Sequence, residues 1–298
     1  DAAKIWLAPH GGEQNNAVVL GCGLAPRLSR FDPYWMAVAS VDEAVRNVVS
    51  EGGDPDSLCL LDNFCWPDPV ATKKNPRGEH KLGQLVRCNF GLRDVALNYE
   101  MPFVSGKDSM KNDFRGKNRR GEDLTISIQP TLLVTAMARS HSAVSPDSFF
   151  TRENREIFFL RPSESYLLGS EVYEMLRFPR QSLEDELINR TWDQELSRLS
   201  EYYRRVYQSF KEGVVEACHD ISEGGLASGL CEMTFSQGLG AQIELPSKWR
   251  LKDFFGEGLG QFVVTVPQES REHFLTLLPE AISLGKTGGH QLKLSCEG

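Results

Sequence analysis

At 298 residues, with 40% hydrophobic and 25% charged side chains, the chain has an ordinary globular composition and the length for two domains of roughly 150 residues each. Its net charge of −8 and pI near 5.4 argue against nucleic acid or an anionic membrane as the main partner, since both select clustered Lys and Arg; a nucleotide would have to arrive with Mg²⁺. No apolar run approaches the roughly 20 residues that span a bilayer, and the first residues lack a basic and then apolar signal pattern.

The seven cysteines are odd in number, form no Cys-x-x-Cys and sit mostly in apolar runs such as Leu58 to Leu61, so buried free thiols in a cytoplasmic protein are expected. The chain opens on Asp1 rather than Met, and it closes on an alternating segment, Gln291 to Ser295. Both features point to an excised part of something longer.

In chain order, Ala17 to Leu20 reads as a short strand. Gly21-Cys22-Gly23 follows, and it resembles a nucleophile elbow only until Pro26 interrupts any helix after it. Asp32 to Val49 is a helix with Asp32 at the N-cap and Pro33 in its first turn; Asp42 and Arg46 on it read as a surface ion pair. Leu58 to Leu61 is uniformly apolar and then turns acidic at Asp62 and Asn63, the pattern of a buried strand whose end delivers groups to a site. Lys73 to His80 reads as a polar loop, Leu82 to Tyr99 as a second helix carrying Asp94, and Met101 to Val104 as a strand.

The segment Val104 to Phe114 admits two readings. Ser105-Gly106 as a small flexible turn, Lys107 and Lys111 as cations, and Asp108, Asn112 and Asp113 as hard oxygen donors make a phosphate and metal site; the alternative is a polar hairpin loop. Residues 115 to 123 form an exposed charged tip, and Thr131 to Ala136 a buried strand. A domain boundary falls within Ser142 to Arg155, dividing the chain into residues 1–145 and 146–298.

The second half is expected to open with the strand Glu156 to Leu160 and to run through a polar helical region, Leu183 to Phe210. It then reaches Ala217 to Ala227, where a strand end gives way to His219, Asp220, Ser222 and Glu223, the pair Gly224-Gly225, and a helix to about Phe235. Such a helix start can hold an anion, with Asp220 placed to ligate a bridging metal; the alternative is an N-cap by Ser222. Gly260 to Val266 is a strand, with Glu257 just before it.

The ordered motifs Asp32 to Ala37, Asp42 to Asn47, Leu61 to Trp66, Gln84 to Arg87, Phe103 to Asp113 and His219 to Leu226 resemble the second half of the large subunit of phosphoribosylformylglycinamidine (FGAM) synthase. The resemblance implies an α+β fold like that of aminoimidazole ribonucleotide synthetase: a small α/β sheet domain that pairs into a barrel-like interface, and a larger α+β domain. It implies ATP, or retained ADP, and Mg²⁺ as ligands. Asp94, Asp220, Asp62 and Asn112 are the implied metal positions, and Asn63, Lys107, Ser109, Ser222 and Gly224 the nucleotide and phosphate positions.

The implied partners are the missing first half, a glutaminase domain or subunit, and a homodimer as substitute. The implied activity is amide activation by phosphoryl transfer followed by attack of ammonia, with the isolated chain inactive. A nucleotide-holding structural half, or a relative such as a selenophosphate synthetase or thiamine phosphate kinase, stands beside it. The sequence departs from the family at Arg161-Pro162-Ser163, at Leu168 to Glu171 and at Phe255-Gly256-Glu257 with Gln261.

Overall fold

In the computed structural model, which describes residues 2–8, 15–141, 144–162 and 192–296, the first half of the chain builds a five-stranded sheet. Its strands are β1 (Ala2–Trp6), β2 (Asn16–Leu24), β3 (Cys59–Cys65), β4 (Phe103–Ser109) and β7 (Thr131–His141), in the order β1-β2-β7-β3-β4. Strands β3 and β4 are parallel and the other pairs antiparallel. Helix α1 (Pro33–Ser50) lies on β2 and β7, and α2 (Gly78–Tyr99), the crossover between β3 and β4, lies on α1.

Alternation along β7 sends Leu132, Val134, Ala136 and Ala138 into this layer and leaves Leu133, Thr135 and Met137 on the opposite face. That opposite face is open: Ile5, Leu24, Leu61 and Met137 are all at least 36% exposed. Asp32 caps α1 as its sequence dictates, its carboxylate accepting from the Tyr34 N–H at 3.0 Å. The Gly-Cys-Gly motif lies within β2 and has a packing role, because a Cβ on Gly23 would sit 2.0 Å from the Ser40 carbonyl oxygen of α1.

The second half folds around a six-stranded sheet of β8 (Glu156–Leu160), β9 (Ala217–Asp220), β10 (Ala241–Leu245), β11 (Phe262–Val266), β12 (Ile282–Thr287) and β13 (Leu292–Cys296). The order is β13-β10-β12-β8-β11-β9, with only β10 and β13 parallel. Every residue of β11 is buried, which explains its nearly unbroken apolar sequence. One face packs on α3 (Trp192–Lys211) and α6 (Arg271–Leu277) through Tyr202, Val206, Phe210 and Phe274; the other packs on α4 (Gly225–Glu232) through Leu226 and Leu230. Short elements complete the described chain: the hairpin β5 (Asp113–Lys117) with β6 (Asp123–Ser127), and helix α5 (Leu251–Phe255).

One apolar core runs from Val19 and Leu60 through α1 and α2 to Tyr203 and Phe262, across the division at residue 145. At its centre stands Asp42. Its carboxylate is fully buried and accepts from four donors: Tyr99 Oη and Tyr203 Oη at 2.6 Å, Arg46 Nη1 at 2.5 Å and the Gly260 N–H at 3.0 Å. Arg46, itself 1% exposed, also donates to the Gly258 carbonyl at 3.0 Å and to Glu257 Oε1 at 2.8 Å.

The expectation of a surface pair at Asp42 and Arg46 is therefore overturned. A one-turn spacing on a helix is the same in water and in a core, and only distant residues decide which it is. Other expectations change for similar reasons. The polar segment after Val104 is strand β4, not a flexible turn, because pairing with β3 supplies its backbone partners; the turn comes at Met110 to Asn112, with Lys111 at φ 61°. Strand β3 runs on to Cys65, so Asp62 and Asn63 lie mid-strand. Helix α2 begins at Gly78 and α4 ends at Glu232. All seven cysteines are free, but Cys22, Cys231 and Cys296 are exposed and only Cys88 and Cys218 buried. Leu183 to Arg190 of the expected helical region and Leu168 to Glu171 lie outside the described residues. Among the described residues no helix is long and apolar enough to cross a membrane.

Breaking a buried ion pair from one side leaves an uncompensated charge and costs about 3–5 kcal/mol, against about 0–1 kcal/mol for a surface pair. Asp42→Ala should therefore lower the free energy of unfolding by about 3–5 kcal/mol, read from urea denaturation with the m-value held. A loss below about 1 kcal/mol would return Asp42 to the class of surface pairs.

Candidate nucleotide and metal site

Strand β9 ends at Asp220, opposite Phe262 of β11. The chain then turns tightly: Ile221 donates its N–H to the Gln261 carbonyl at 3.0 Å, and Gly225 donates to the Ser222 carbonyl at 2.9 Å. Gly224 and Gly225 hold φ of 87° and 66°, and a Cβ on Gly225 would meet the backbone of Phe255 at 2.6 Å. Glycine is thus required twice, by torsion and by space. The helix N-cap is Gly224, so the alternative reading, a cap by Ser222, is not made.

Asp220 is 1% exposed, and neither of its carboxylate oxygens has a hydrogen-bond partner among the described residues. The nearby imidazole does not supply one: His219 Nδ1 donates to the Asp220 carbonyl oxygen at 2.7 Å and stands 3.7 Å from Oδ1, while Nε2 lies 3.4 Å from Glu232. Two buried, unbonded anionic oxygens are costly unless a cation or donor joins them.

Further acids converge on the same junction. Glu43, on α1, accepts from the Leu24 N–H at 2.7 Å, and burial pushes its carboxyl up to about 7, with the charges of Asp220 and Glu223 adding and Arg46 opposing. Burial likewise pushes Glu257 up to about 8 against the pull of Arg46, with Glu43 adding. For Arg46 burial works against the charge, yet Asp42 and Glu257 outweigh it and hold its pKa well above the ordinary value. One buried guanidinium thus stands among five acids, an arrangement that favours proton or cation uptake. Glu43 and Glu257 had no role in the sequence reading. The available signal was a charged triplet, Asp42, Glu43 and Arg46, inside an otherwise apolar helix.

The remaining candidates divide among other places. Asp94 accepts from Tyr34 Oη at 3.0 Å and from Arg93 Nε at 2.7 Å. Tyr34 begins α1, whereas Glu43 lies nine residues on, about 13 Å of helix rise; Asp94 and Asp220 thus address different stretches of α1. Asn63 and Lys107 are register partners on the open sheet face, joined by Ser109, to which Lys107 Nζ donates. Asn112 Nδ2 donates to the Ser109 carbonyl at 2.8 Å, and Asn63 Oδ1 is buried without a partner. Asp62 points to the opposite, helix-covered face, where it fills the space a Cβ on Gly106 would need; burial, with the Asp108 charge, raises its pKa.

Among the described residues no group of three or more His, Cys, Asp or Glu side chains is arranged to hold a metal ion. The family departures among the described residues are occupied: Arg161 donates to Asp253 at 3.1 Å, Glu257 pairs with Arg46, and Gln261 Oε1 accepts from the Gly258 N–H at 3.1 Å.

This architecture has recognisable counterparts. Residues 1–131 match the N-terminal domain, and residues 182–291 the C-terminal domain, of AIR synthase related proteins, and the chain belongs to that family. Its relatives include the phosphoribosylformylglycinamidine synthase subunits PurL of Methanocaldococcus jannaschii, 28% identical over 90% of this chain, and of Chelativorans sp., 28% identical over 99% of it. The chain spans 35% and 37% of those two proteins, about a third of their length.

Among solved structures, T. maritima PurL complexed with FGAR superposes with a TM-score of 0.67 over all of this chain and 45% of its own, at 13% identity. T. maritima PurL complexed with ATP gives 0.64 over 96% of this chain and 42% of its own, at 13% identity. Thiamine monophosphate kinase from Aquifex aeolicus gives 0.61 over 99% and 91%, at 16% identity. The AIR synthase-like α+β fold expected from the sequence is thereby established.

The raised carboxyls carry a pH dependence. Glu43 and Glu257 keep their protons up to about 7 and 8 in the folded chain but release them near 4.5 when unfolded. The folded state therefore holds more protons across this window, and stability falls as pH rises from about 4.5 through 7 to 8. Glu43→Gln should shrink the drop in Tm between about pH 5 and pH 8. An unchanged drop would show that Glu43 ionises as an ordinary glutamate.

Proposed function

We propose that this chain is part of an FGAM synthase, the half that binds a Mg-nucleotide in the conversion of formylglycinamide ribonucleotide, ATP and glutamine-derived ammonia to FGAM. The observation that carries the reading is Asp220: two buried carboxylate oxygens without partners, at a strand end, before a glycine turn and a helix start. The PurL relatives and the nucleotide named with their solved counterpart support the same reading.

The donor set fits Mg²⁺, which takes hard oxygens and needs only one or two carboxylates when phosphates supply the rest. Asp220 would hold the ion, which when bound neutralises phosphate charge. Ser222 and the backbone N–H groups opening α4 would donate to phosphate oxygens. The glycine turn leaves no side chain between the helix start and a ligand. Binding and orientation are what these residues contribute; amide activation by phosphoryl transfer, and ammonia attack, would be completed with groups from the other half.

The open sheet face supports the partner part of the proposal. Ile5, Leu24, Leu61 and Met137 form an uncovered apolar surface, and Asn63, Lys107, Ser109 and Asn112 lie on or beside it, so any ligand of theirs would sit at the seam with the missing half. The reading as a nucleotide-holding structural half is favoured by one observation. Glu257, at a family departure, is spent on Arg46.

Titration calorimetry with ADP and ATP, with and without Mg²⁺, tests the proposal. Mg²⁺-dependent binding that weakens at least about tenfold in Asp220→Asn is expected, from loss of one ligand charge at nearly constant volume. Equal affinity in the variant would remove Asp220 from the site. For the open face, light scattering should find the isolated chain self-associated, and Met137→Glu should shift it towards monomer. A wild-type chain that stays monomeric at high concentration would contradict the pairing.

A further inference from the structure

Where the end of β7 meets α3, the structure encloses a cavity of about 330 Å³ between Leu7 and Ala17, Asp54, Arg139 and Ser140, and Tyr207. Asn16 and His141, register partners across β2 and β7, complete its wall. None of these residues had a role in the sequence reading.

The frame is fixed by main-chain bonds. Leu7 donates its N–H to the Asn16 carbonyl at 3.0 Å, Asp54 to the Arg139 carbonyl at 2.8 Å, and Arg139 to Ser57 Oγ at 2.9 Å. The lining side chains, by contrast, are largely unspent. Asp54 Oδ1 accepts from the Asp56 N–H at 3.1 Å, whereas the Arg139 guanidinium and the Tyr207 hydroxyl make no hydrogen bond or ion pair with the described residues. Ser140 is 6% exposed, and its Oγ is buried without a partner among the described residues. An orphaned buried hydroxyl costs free energy until a ligand or a water joins it.

Asp54 and Arg139 line one small cavity yet form no ion pair with each other. Both charges are felt at Tyr207: burial raises its pKa, the Asp54 charge adds and Arg139 opposes. The phenol therefore stays protonated at neutral pH and remains a donor. Asp54 repels a lone anion and Arg139 a lone cation, so a ligand that carries both charges suits the pair best. The planar guanidinium matches a carboxylate, two hydroxyls add donors, and Asp54 can accept from an ammonium. The volume lies at the lower end of small-molecule sites, and Leu7 and Ala17 supply an apolar wall.

We propose that this cavity binds a free α-amino acid with a small apolar side chain, its carboxylate on Arg139, Ser140 and Tyr207 and its ammonium on Asp54. The site shares no residue with the Asp220 junction and does not depend on the nucleotide reading.

The test is calorimetric titration of the 298-residue chain with L-valine, and separately with 3-methylbutanoate, which lacks the ammonium, and with isobutylamine, which lacks the carboxylate. Valine should bind saturably, and each half-ligand at least about tenfold more weakly. Arg139→Gln should weaken valine binding at least about tenfold, from loss of a charge-assisted contact at an exposed residue. Asp54→Asn, which keeps an oxygen for the Asp56 N–H, should do the same. Arg119→Ala, on the exposed tip of the β5–β6 hairpin, should leave the affinity unchanged. No saturable binding by the wild type, 3-methylbutanoate or isobutylamine binding as tightly as valine, indifference to either cavity substitution, or an equal loss in Arg119→Ala would each overturn the proposal.

Discussion

The carboxylate of Asp42 is the constraint on which the arrangement of the two sheets depends. It draws together α1, the end of α2, the middle of α3 and the bend before β11, and no side chain of other chemistry could accept from four donors at once. A charge in that position is expensive, and it is tolerated because Arg46 and two tyrosine hydroxyls replace its water. The cost of burying Arg46 is met in turn by Asp42, Glu257 and the Gly258 carbonyl. The polar network fixes which faces of the sheets meet, whereas apolar contacts alone would permit sliding.

That network also shapes the junction with Asp220. Burial makes Glu43 and Glu257 resist ionisation even though Arg46 pulls the other way, while Asp220 is left with bare oxygens. Neutralisation by Arg46 is incomplete, and the proposed cation would complete it. The structural and the functional readings of these acids are thus two sides of one charge balance.

Much of the fold was legible wherever a local signal decides. Asp32-Pro33 announced the start of α1, uniform apolar runs announced β3, β8 and β11, and Gly224-Gly225 announced the turn that backbone torsion requires. Legibility failed where a distant partner decides. Asp42 and Arg46 looked like a surface pair because Tyr203 and Gly260 are far along the chain. Ser105 to Ser109 looked like a loop because polar side chains conceal a strand whose bonds are made to β3. In the candidate site, the sequence grouped residues by motif, and the fold separated them: adjacent residues of a strand point to opposite faces, so Asp62 and Asn63 cannot serve one ligand from the same side.

The separation of Asp42 from its partners has a kinetic meaning. Tyr203 lies 161 residues and Gly260 lies 218 residues away, so the carboxylate can acquire its full set of donors only after most of the chain has been assembled. Such long-range closure comes late, after local helices and hairpins have formed. In a chain of this topology the shell around Asp42 acts as a latch rather than a nucleus. Weakening it should accelerate unfolding more than it slows folding, so that the lifetime of the native state would rest on contacts that close late.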